Sequence, residues 1–325
     1  MKTKLLTLLR EAEGYISGQE LCERFGVSRT AVWKAVNQLK EAGYEIEAVQ
    51  NKGYRLTAVP DKLCEMELNS IRKTDWMGAE TYYFDTIDST NIKAKKLAEE
   101  GHPGGTLVVA EQQENGRGRR GRAWQSPPGE AVFMTWVLKP QINPNNASMI
   151  TLVAALAVNA AIEACTGRKA GIKWPNDIVM NGKKVCGILT EMSAQFDYIN
   201  HIVVGVGINV NNSAFPEDIA DVATSLYLET GVRHNRAALI EKVLEHFEHY
   251  YAVFLETEDL SGLMREYDES LANSGKKVRV LDPKEPFEGV AEGITNRGEL
   301  IVKTEEGNQM VSSGEVSVRG IYGYI

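Results

Sequence analysis

Leucines at 5, 6, 8 and 9, set against Lys4, Arg10 and Glu11, give residues 2–13 the one-sided apolar spacing of an amphipathic helix. Ser17-Gly18-Gln19-Glu20 is a capping box: the Ser17 hydroxyl accepts from the Glu20 amide and the Glu20 side chain reaches back. A short second helix therefore starts there, and Gly26 turns out of it. Ser28 caps a third helix that ends before Gly43. Along it Ala31, Val32, Ala35, Val36 and Leu39 recur at helical spacing and face inward, leaving Arg29, Thr30, Trp33, Lys34 and Asn37 outside. Residues 44–49 and 54–57, joined by Asn51-Lys52-Gly53, predict a β-hairpin with a basic tip, and 58–62 read as a linker. Helix, turn, helix and hairpin make a winged helix-turn-helix. Its outer face of donors and one aromatic suits a major groove, with Lys52 and Arg55 on phosphates. A three-helix bundle used for protein contact would share the helix pattern, but not the turn glycine and basic hairpin.

Beyond residue 80 the pattern changes to short apolar strands between helices. A strand at 81–84 leads into Asp88-Ser89-Thr90-Asn91, which opens a helix to about residue 100. Ser89 reads locally as its N-cap; the same amides and hydroxyls could instead hold a polar or anionic ligand group. A strand at 106–110 feeds residues 111–124, where Arg117, Arg119, Arg120 and Arg122 fall within six residues, spaced by Gly116, Gly118 and Gly121. A helix interior is excluded, because each glycine would cost ~1 kcal/mol there. No Gly-Lys-Ser/Thr follows, so it is no Walker A loop, and arginines would crowd a Rossmann turn. Arginines for phosphate oxygens and glycines for backbone approach suit a polyanion. An RNA-binding Arg/Gly patch has similar composition, but acidic surroundings and the strand-to-strand placement favour a small phosphate ligand.

A strand at 132–138 is followed by the apolar run 149–165. It is at the short limit for a membrane span and contains Thr151, Asn159 and Glu163, so it is expected as a buried helix with Ser148 as N-cap and Gly167 past its end. Pro175 forces an extended or turn conformation on Trp174. Residues 178–189 read as a hairpin with an Asn181-Gly182 type I′ turn. Lys183 and Lys184 point to opposite faces, one expected in the site and the other in solvent. The strand 201–210 carries Gly205-Val206-Gly207; no helix follows, so it is no dinucleotide fingerprint, but it would admit close backbone approach by a ligand. The hairpin-linked strands predict a mixed or antiparallel sheet with helices packed on it, an α+β domain. A helix at 237–255 follows, with His246 and His249 expected on a solvated face. From about residue 276, short strands broken by Asp282-Pro283, Asn296-Arg297-Gly298, Glu306-Gly307 and Ser313-Gly314 read as a small SH3-like β-barrel.

Composition adds bounds. A chain of 325 residues holds two or three domains, and 43% hydrophobic residues exclude disorder as the dominant state. Net charge is −8, yet residues 1–60 carry nine Lys/Arg against seven Asp/Glu. A slightly basic head on an acidic body is consistent with a DNA-facing module. Cys22, Cys64, Cys165 and Cys186 match no zinc or disulfide spacing, and Arg10, Glu11 and Glu13 interrupt any signal-peptide pattern. The expectation is reduced thiols in a cytoplasmic protein without a membrane segment.

The Asp88-to-Asn91 turn, the Gly116-to-Arg122 loop, Lys173-Trp174-Pro175-Asn176-Asp177 and Lys184-Val185-Cys186-Gly187-Ile188 resemble the biotin–protein ligases. With the winged helix in front, essentially the whole chain resembles their bifunctional ligase–repressor branch. The resemblance implies a winged helix over 1–60, a catalytic domain over 66–272 and the SH3-like module over 273–325. It implies that biotin and MgATP give biotinyl-5′-adenylate and pyrophosphate. The lysine of a biotin carboxyl carrier domain then takes the biotinyl group and releases AMP. By family pattern Ser89, Thr90, Asn91 and Gln113 would hydrogen-bond biotin. Gly116, Arg117, Gly118, Arg119 and Arg122 would form the loop that closes over biotin and the phosphate. Trp124 would pack near adenine, with Asn209 reading it. Lys184 and Arg119 would offset charge at the carboxylate and α-phosphate, and Asp177 would orient or deprotonate the acceptor lysine or help hold Mg²⁺. The adenylate would also favour a homodimer that binds a two-fold operator. A lipoate–protein ligase and a ligand-sensing repressor without catalysis are the rival readings. The winged helix and Arg-Gly loop weigh against the first, and Lys184 with the arginines against the second.

Overall fold

Helix α1 (Lys2–Glu11) buries Leu5, Leu6 and Leu9 against Leu21 of α2 (Gly18–Phe25) and against Val32, Ala35, Val36 and Leu39 of α3 (Arg29–Glu41). Both expected caps form: Ser17 Oγ accepts from the Glu20 amide at 3.1 Å and Ser28 Oγ from the Ala31 amide at 3.3 Å. Gly26 ends α2 in the left-handed region, as the turn between helices requires. Strands β1 (Glu45–Val49) and β2 (Gly53–Ala58) make the antiparallel wing. The unit continues past residue 60 to Lys73, because α4 (Glu65–Ile71) packs on α1. Glu67 of α4 is fully buried and takes Arg10 Nη2 at 2.5 Å and Tyr44 Oη at 2.6 Å. A buried carboxylate stripped of such partners costs about 3–5 kcal/mol, so α4 belongs to this unit energetically as well. The computed structural model describes residues 1–325 apart from 122–123, 125–126, 283–284, 314–316 and 321–323.

The second unit, Thr74–Ile325, is built on a seven-stranded sheet of order β3-β4-β5-β9-β8-β7-β6. Its strands are β3 (Thr81–Ile87), β4 (Leu107–Gln113), β5 (Ala131–Leu138), β6 (Gly171–Lys173), β7 (Asp177–Met180), β8 (Lys183–Ala194) and β9 (Ile199–Asn209). Only β3 and β4 run parallel, and α5 (Thr90–Glu99) is their crossover. The mixed sheet is as expected. Ala94, Leu97 and Ala98 of α5 pack on Val108, Val137 and Val203. Neighbouring strand residues point oppositely, so Trp136 faces the other side and meets Phe247 of α8 (Arg236–Thr257) at 4.9 Å between rings. Helix α6 (Ile150–Thr166) lies against α8 and is mostly apolar and mostly buried, with its last turn reaching solvent, which is how a core helix of this composition is satisfied. Ser148 does not cap it. A 3₁₀ turn over Pro144–Met149 precedes α6, and Asn143 caps that turn instead. Gly167 closes α6 at φ 64°, as expected.

Two short helices, α7 (Leu226–Thr230) and α9 (Met264–Ser270), flank α8. The chain ends in five antiparallel strands: β10 (Lys277–Leu281), β11 (Phe287–Ile294), β12 (Leu300–Thr304), β13 (Gly307–Val311) and β14 (Ser317–Gly320). Their order is β13-β12-β11-β10-β14, the strand complement of the expected SH3-like module. Trp174 fastens this module to the central sheet: its amide donates to Asn273 Oδ1 at 2.9 Å and its indole Nε1 to the Gly298 carbonyl at 3.0 Å. The Trp174–Pro175 peptide is cis.

Candidate active site

Residues 133 and 135 of β5, 187 and 189 of β8 and 205, 207 and 209 of β9 share the sheet face that α5 covers. Where α5 begins, that face opens into a cavity of about 290 Å³. Ser89 sits at the N-cap position but makes no side-chain cap bond, and it lines the cavity. Gln113 Oε1, brought alongside by β4, accepts from the Thr90 amide at 2.8 Å and the Thr90 hydroxyl at 3.0 Å. Thr135 Oγ1 lies 2.7 Å from Asn91 Oδ1 and 2.8 Å from Thr90 Oγ1. Asn91 Nδ2 donates to Glu191 Oε2 at 2.8 Å, and Lys95 Nζ meets Glu191 Oε1 at 2.6 Å. Burial pushes the Glu191 carboxyl up. The bonds from Asn91 and Lys95, with the Lys95 and Arg117 charges, outweigh burial and hold it below the ordinary value. The result is a preorganised wall of neutral donors and acceptors in which Thr90, Asn91 and Gln113 are oriented by neighbours and Asn91 is backed by the ionised Glu191–Lys95 pair.

The opposite wall is cationic. Lys184 Nζ lies 2.6 Å from Asp177 Oδ1, and Tyr324 Oη donates to Asp177 Oδ2 at 2.5 Å. The buried Lys173 ammonium stands 4.0 Å above the Tyr324 ring. Burial raises the Asp177 carboxyl. The Lys184 and Lys173 charges and the bonds from Lys184 and Tyr324 overcome burial and keep it ionised below the usual carboxylate range. Arg119 Nη1 donates to Asn176 Oδ1 at 2.9 Å and Nη2 to the Ser313 carbonyl at 3.0 Å, which presents its guanidinium at the cavity edge with Arg117 and Gly118. Trp124 lies across β8 and β9, its ring 5.1 Å from Lys184 Nζ. A Cβ on Gly187 would meet that indole at 2.9 Å and one on Gly207 at 3.0 Å. A Cβ on Gly205 would meet Asn91 Oδ1 at 2.0 Å. The expected close approach at Gly205 and Gly207 is therefore made by this chain's own side chains.

The segment 215–223 roofs the cavity with Phe215, Ile219 and Val222. Backbone bonds fix it on β8: the Lys184 amide to the Val222 carbonyl at 2.7 Å and the Thr224 amide to the Lys184 carbonyl at 2.8 Å. Lys183 was expected in solvent; its Nζ donates instead to the Ala220 carbonyl at 3.0 Å, because the roof returns over that face. Asn209 lines the cavity but commits Nδ2 to the Thr224 carbonyl at 3.0 Å. Gly116 stands outside the lining. It is buried at the neck of the Arg-Gly loop, where its carbonyl accepts from the Trp124 amide at 3.0 Å. Arg122 lies outside the described residues. A second, open groove of about 920 Å³ adjoins, sharing Arg119, Asn176, Ile188 and Leu189 and adding Ser148, Thr151 and Met192.

Glu191, Thr135, Asn176, Tyr324 and the 215–223 roof were missed in the sequence. Asn176 lies within a motif that was read but was given no role there, Glu191 lies just beyond another, and Tyr324 carries no local signal. His246 and His249 both lie against Tyr250, and no cluster of metal ligands occurs among the described residues. In the first unit Arg29, Thr30, Trp33 and Lys34 are exposed, Trp33 at 59%, and Asn37 is half-buried. Arg55 pairs with Glu47 at 2.8 Å, and both Arg55 and Lys52 stand over the Tyr15 ring.

Residues 83–209 match the biotin/lipoate A/B protein ligase family, 2–55 an HTH domain and 274–319 the biotin protein ligase C terminal domain. The bifunctional ligase/repressor BirA of Bacillus subtilis (strain 168) is 40% identical over 321 residues, spanning 98% of both chains. A biotin–[acetyl-CoA-carboxylase] ligase of Paracoccus denitrificans is 34% identical over 72% of this chain and 98% of its own. The Aquifex aeolicus biotin protein ligase, solved in complex with biotin and ATP, superposes with a TM-score of 0.66 at 32% identity, covering 74% of this chain and 99% of that one.

Proposed function

The chain belongs to the bifunctional biotin ligase/repressor family, and on that premise we propose how its residues divide the work of an ATP-dependent biotin–protein ligase and a DNA-binding repressor. Biotin lies against the neutral wall. Ser89, Thr90, Asn91 and Gln113 bond its ureido group, and the Trp124 indole bounds the adenylate side. Attack of the biotin carboxylate on the α-phosphate of ATP brings two anions together. Lys184, Arg117 and Arg119 offset that repulsion and stabilise the charge that develops. Lys184 acts as a point charge, the arginines as bidentate donors. No side-chain nucleophile is required, because the carboxylate of the substrate forms the new bond and pyrophosphate leaves. Asp177 is the one carboxylate lining the cavity among the described residues, and Lys184 and Tyr324 take its two oxygens. Mg²⁺ therefore comes as part of the MgATP substrate, on phosphate oxygens.

In the second half-reaction the carrier-domain lysine enters from the open groove beside Arg119. The Asp177 charge draws and orients its ammonium, which loses its proton to water before the free amine attacks the adenylate, and AMP leaves. In the first unit, Arg29, Thr30, Trp33, Lys34 and Asn37 read operator bases while Lys52 and Arg55 meet phosphates. Arg55 exchanges Glu47 for phosphate when it does so. Bound adenylate favours a homodimer matching a two-fold operator, and the protein works in the cytoplasm. The observation that carries the ligase reading is the convergence of Lys184, Arg117 and Arg119 on a cavity whose far wall is built from neutral, mutually bonded groups. The test mixes pure protein with biotin and MgATP and follows pyrophosphate release and bound adenylate by mass spectrometry. A burst of one adenylate per chain is expected. Adenylate formed only with lipoate, or none at all in folded protein, would overturn the reading.

A further inference from the structure

We propose that Tyr324, one residue from the chain end, is a positioning residue for the ligase reaction: its hydroxyl holds the Asp177–Lys184 pair in place, so that the C-terminal module completes the active site. The inference rests on the ligase reading above and deepens it. Tyr324 lines the cavity, yet it arrives there from a module whose strands lie outside the central sheet. Its hydroxyl reaches Asp177 Oδ2 at 2.5 Å while Lys184 occupies Oδ1 at 2.6 Å, so the carboxylate is gripped from both ends. Its ring lies beneath the buried Lys173 ammonium at 4.0 Å, which fixes the approach of the phenol. The same module places the Ser313 carbonyl on Arg119 at 3.0 Å. Two of the cavity's cations are thus set, directly or through Asp177, by residues of the last strands and tail.

The chemistry gives the hydroxyl a purpose. A lone carboxylate beside Lys184 would draw the ammonium toward itself and neutralise it. A proton donated to Oδ2 pulls negative charge to the far oxygen, leaving more of the Lys184 charge for a phosphate. It also prevents the carboxylate from rotating out of line. The effect falls on the charge-developing step and not on biotin recognition, which occurs at the opposite wall.

Tyr324→Phe keeps the ring under Lys173 and removes only the hydroxyl. A lost bond to a charged group predicts an adenylation kcat lower by about 10- to 100-fold. The KM for biotin should stay close to wild type, while the unfolding midpoint falls by a few degrees because a buried carboxylate loses a bond. In an Asp177→Asn background the same change should cost almost nothing further, because Tyr324 acts through Asp177. Tyr324→Phe with wild-type kcat, while Tyr324→Ala is impaired, would reduce the residue to a packing role and overturn the proposal. Full loss retained in the Asp177→Asn background would overturn it as well. Failure of the ligase reading is distinguishable, since wild-type protein would then form no biotinyl-adenylate.

Discussion

Gly205→Ala adds one methyl group to the middle of β9, and the structure says where it goes. The new carbon would lie 2.0 Å from Asn91 Oδ1, 2.8 Å from its Cγ and 3.0 Å from its Nδ2. No real contact of that kind exists, so the amide must swing away. It is not free to do so cheaply, because Asn91 is buried and bonded to Thr135 at 2.7 Å and to the ionised Glu191 at 2.8 Å. Losing a neutral bond costs about 1 kcal/mol and one to a charged acceptor about 1.5–3, so the expected loss is roughly 2–4 kcal/mol. Because the displaced amide is also the proposed biotin contact, Kd for biotin should rise by about 10- to 100-fold, at about 1.4 kcal/mol per decade. Titration calorimetry with biotin and a thermal melt of the same sample measure the two effects. Asn91→Ala removes all three clashing atoms, so Gly205→Ala should cost far less in that background. Wild-type biotin affinity together with an unchanged melting temperature in Gly205→Ala would refute the reasoning.

Lys184→Ala should slow pyrophosphate release by about 10²–10³-fold, the usual loss when a preorganised charge-stabilising group is removed. It should also lower the melting temperature, since Asp177 loses a counter-charge; adding Asp177→Asn should recover stability but not the rate. Removing residues 1–73 should abolish operator binding in a gel-shift assay and leave adenylate formation largely intact; loss of both would argue against independent units. Burial holds His201 and His234 below the ordinary histidine value, so the unfolded chain takes up their protons first. Stability therefore rises with pH across the window below the free histidine pKa, and the melting temperature should fall on acidification from about pH 7.5 to about pH 5.5. A melting temperature that is flat or rises over that range would contradict it.

Much of the first unit could be read directly from the chain. Ser17 and Ser28 cap helices because a hydroxyl three residues from an amide is a local geometry. The inward face of α3 follows from apolar spacing alone. Asn181 and Gly182 turn β7 into β8 with positive φ at both positions, as the dipeptide implies. The loop arginines were visible as a cluster of unusual composition whose chemistry favoured a phosphate ligand, while the role of Lys184 came from the family resemblance.

Other assignments depended on what arrives from elsewhere. Ser148 has the residue type of a cap, but the preceding proline and asparagines form a 3₁₀ turn that takes the capping role to Asn143. Lys183 alternates away from the site as expected, yet the returning 215–223 segment supplies it with a carbonyl in place of water. Gly205 and Gly207 announce close approach without saying what approaches, and Asn91 and Trp124 come from other elements to do it. Tyr324 and Asp177 are 147 positions apart. By itself the sequence determined caps, turns, strand and helix faces and the charge of the site, since those arise between residues within a turn or a pleat of one another. Tertiary structure alone decided which oxygen each cation meets, which side chains fill the space above the glycines, and that Tyr324 meets the Asp177 carboxylate. Those pairings follow from how the sheet and the C-terminal strands pack, and no local preference of the backbone encodes them.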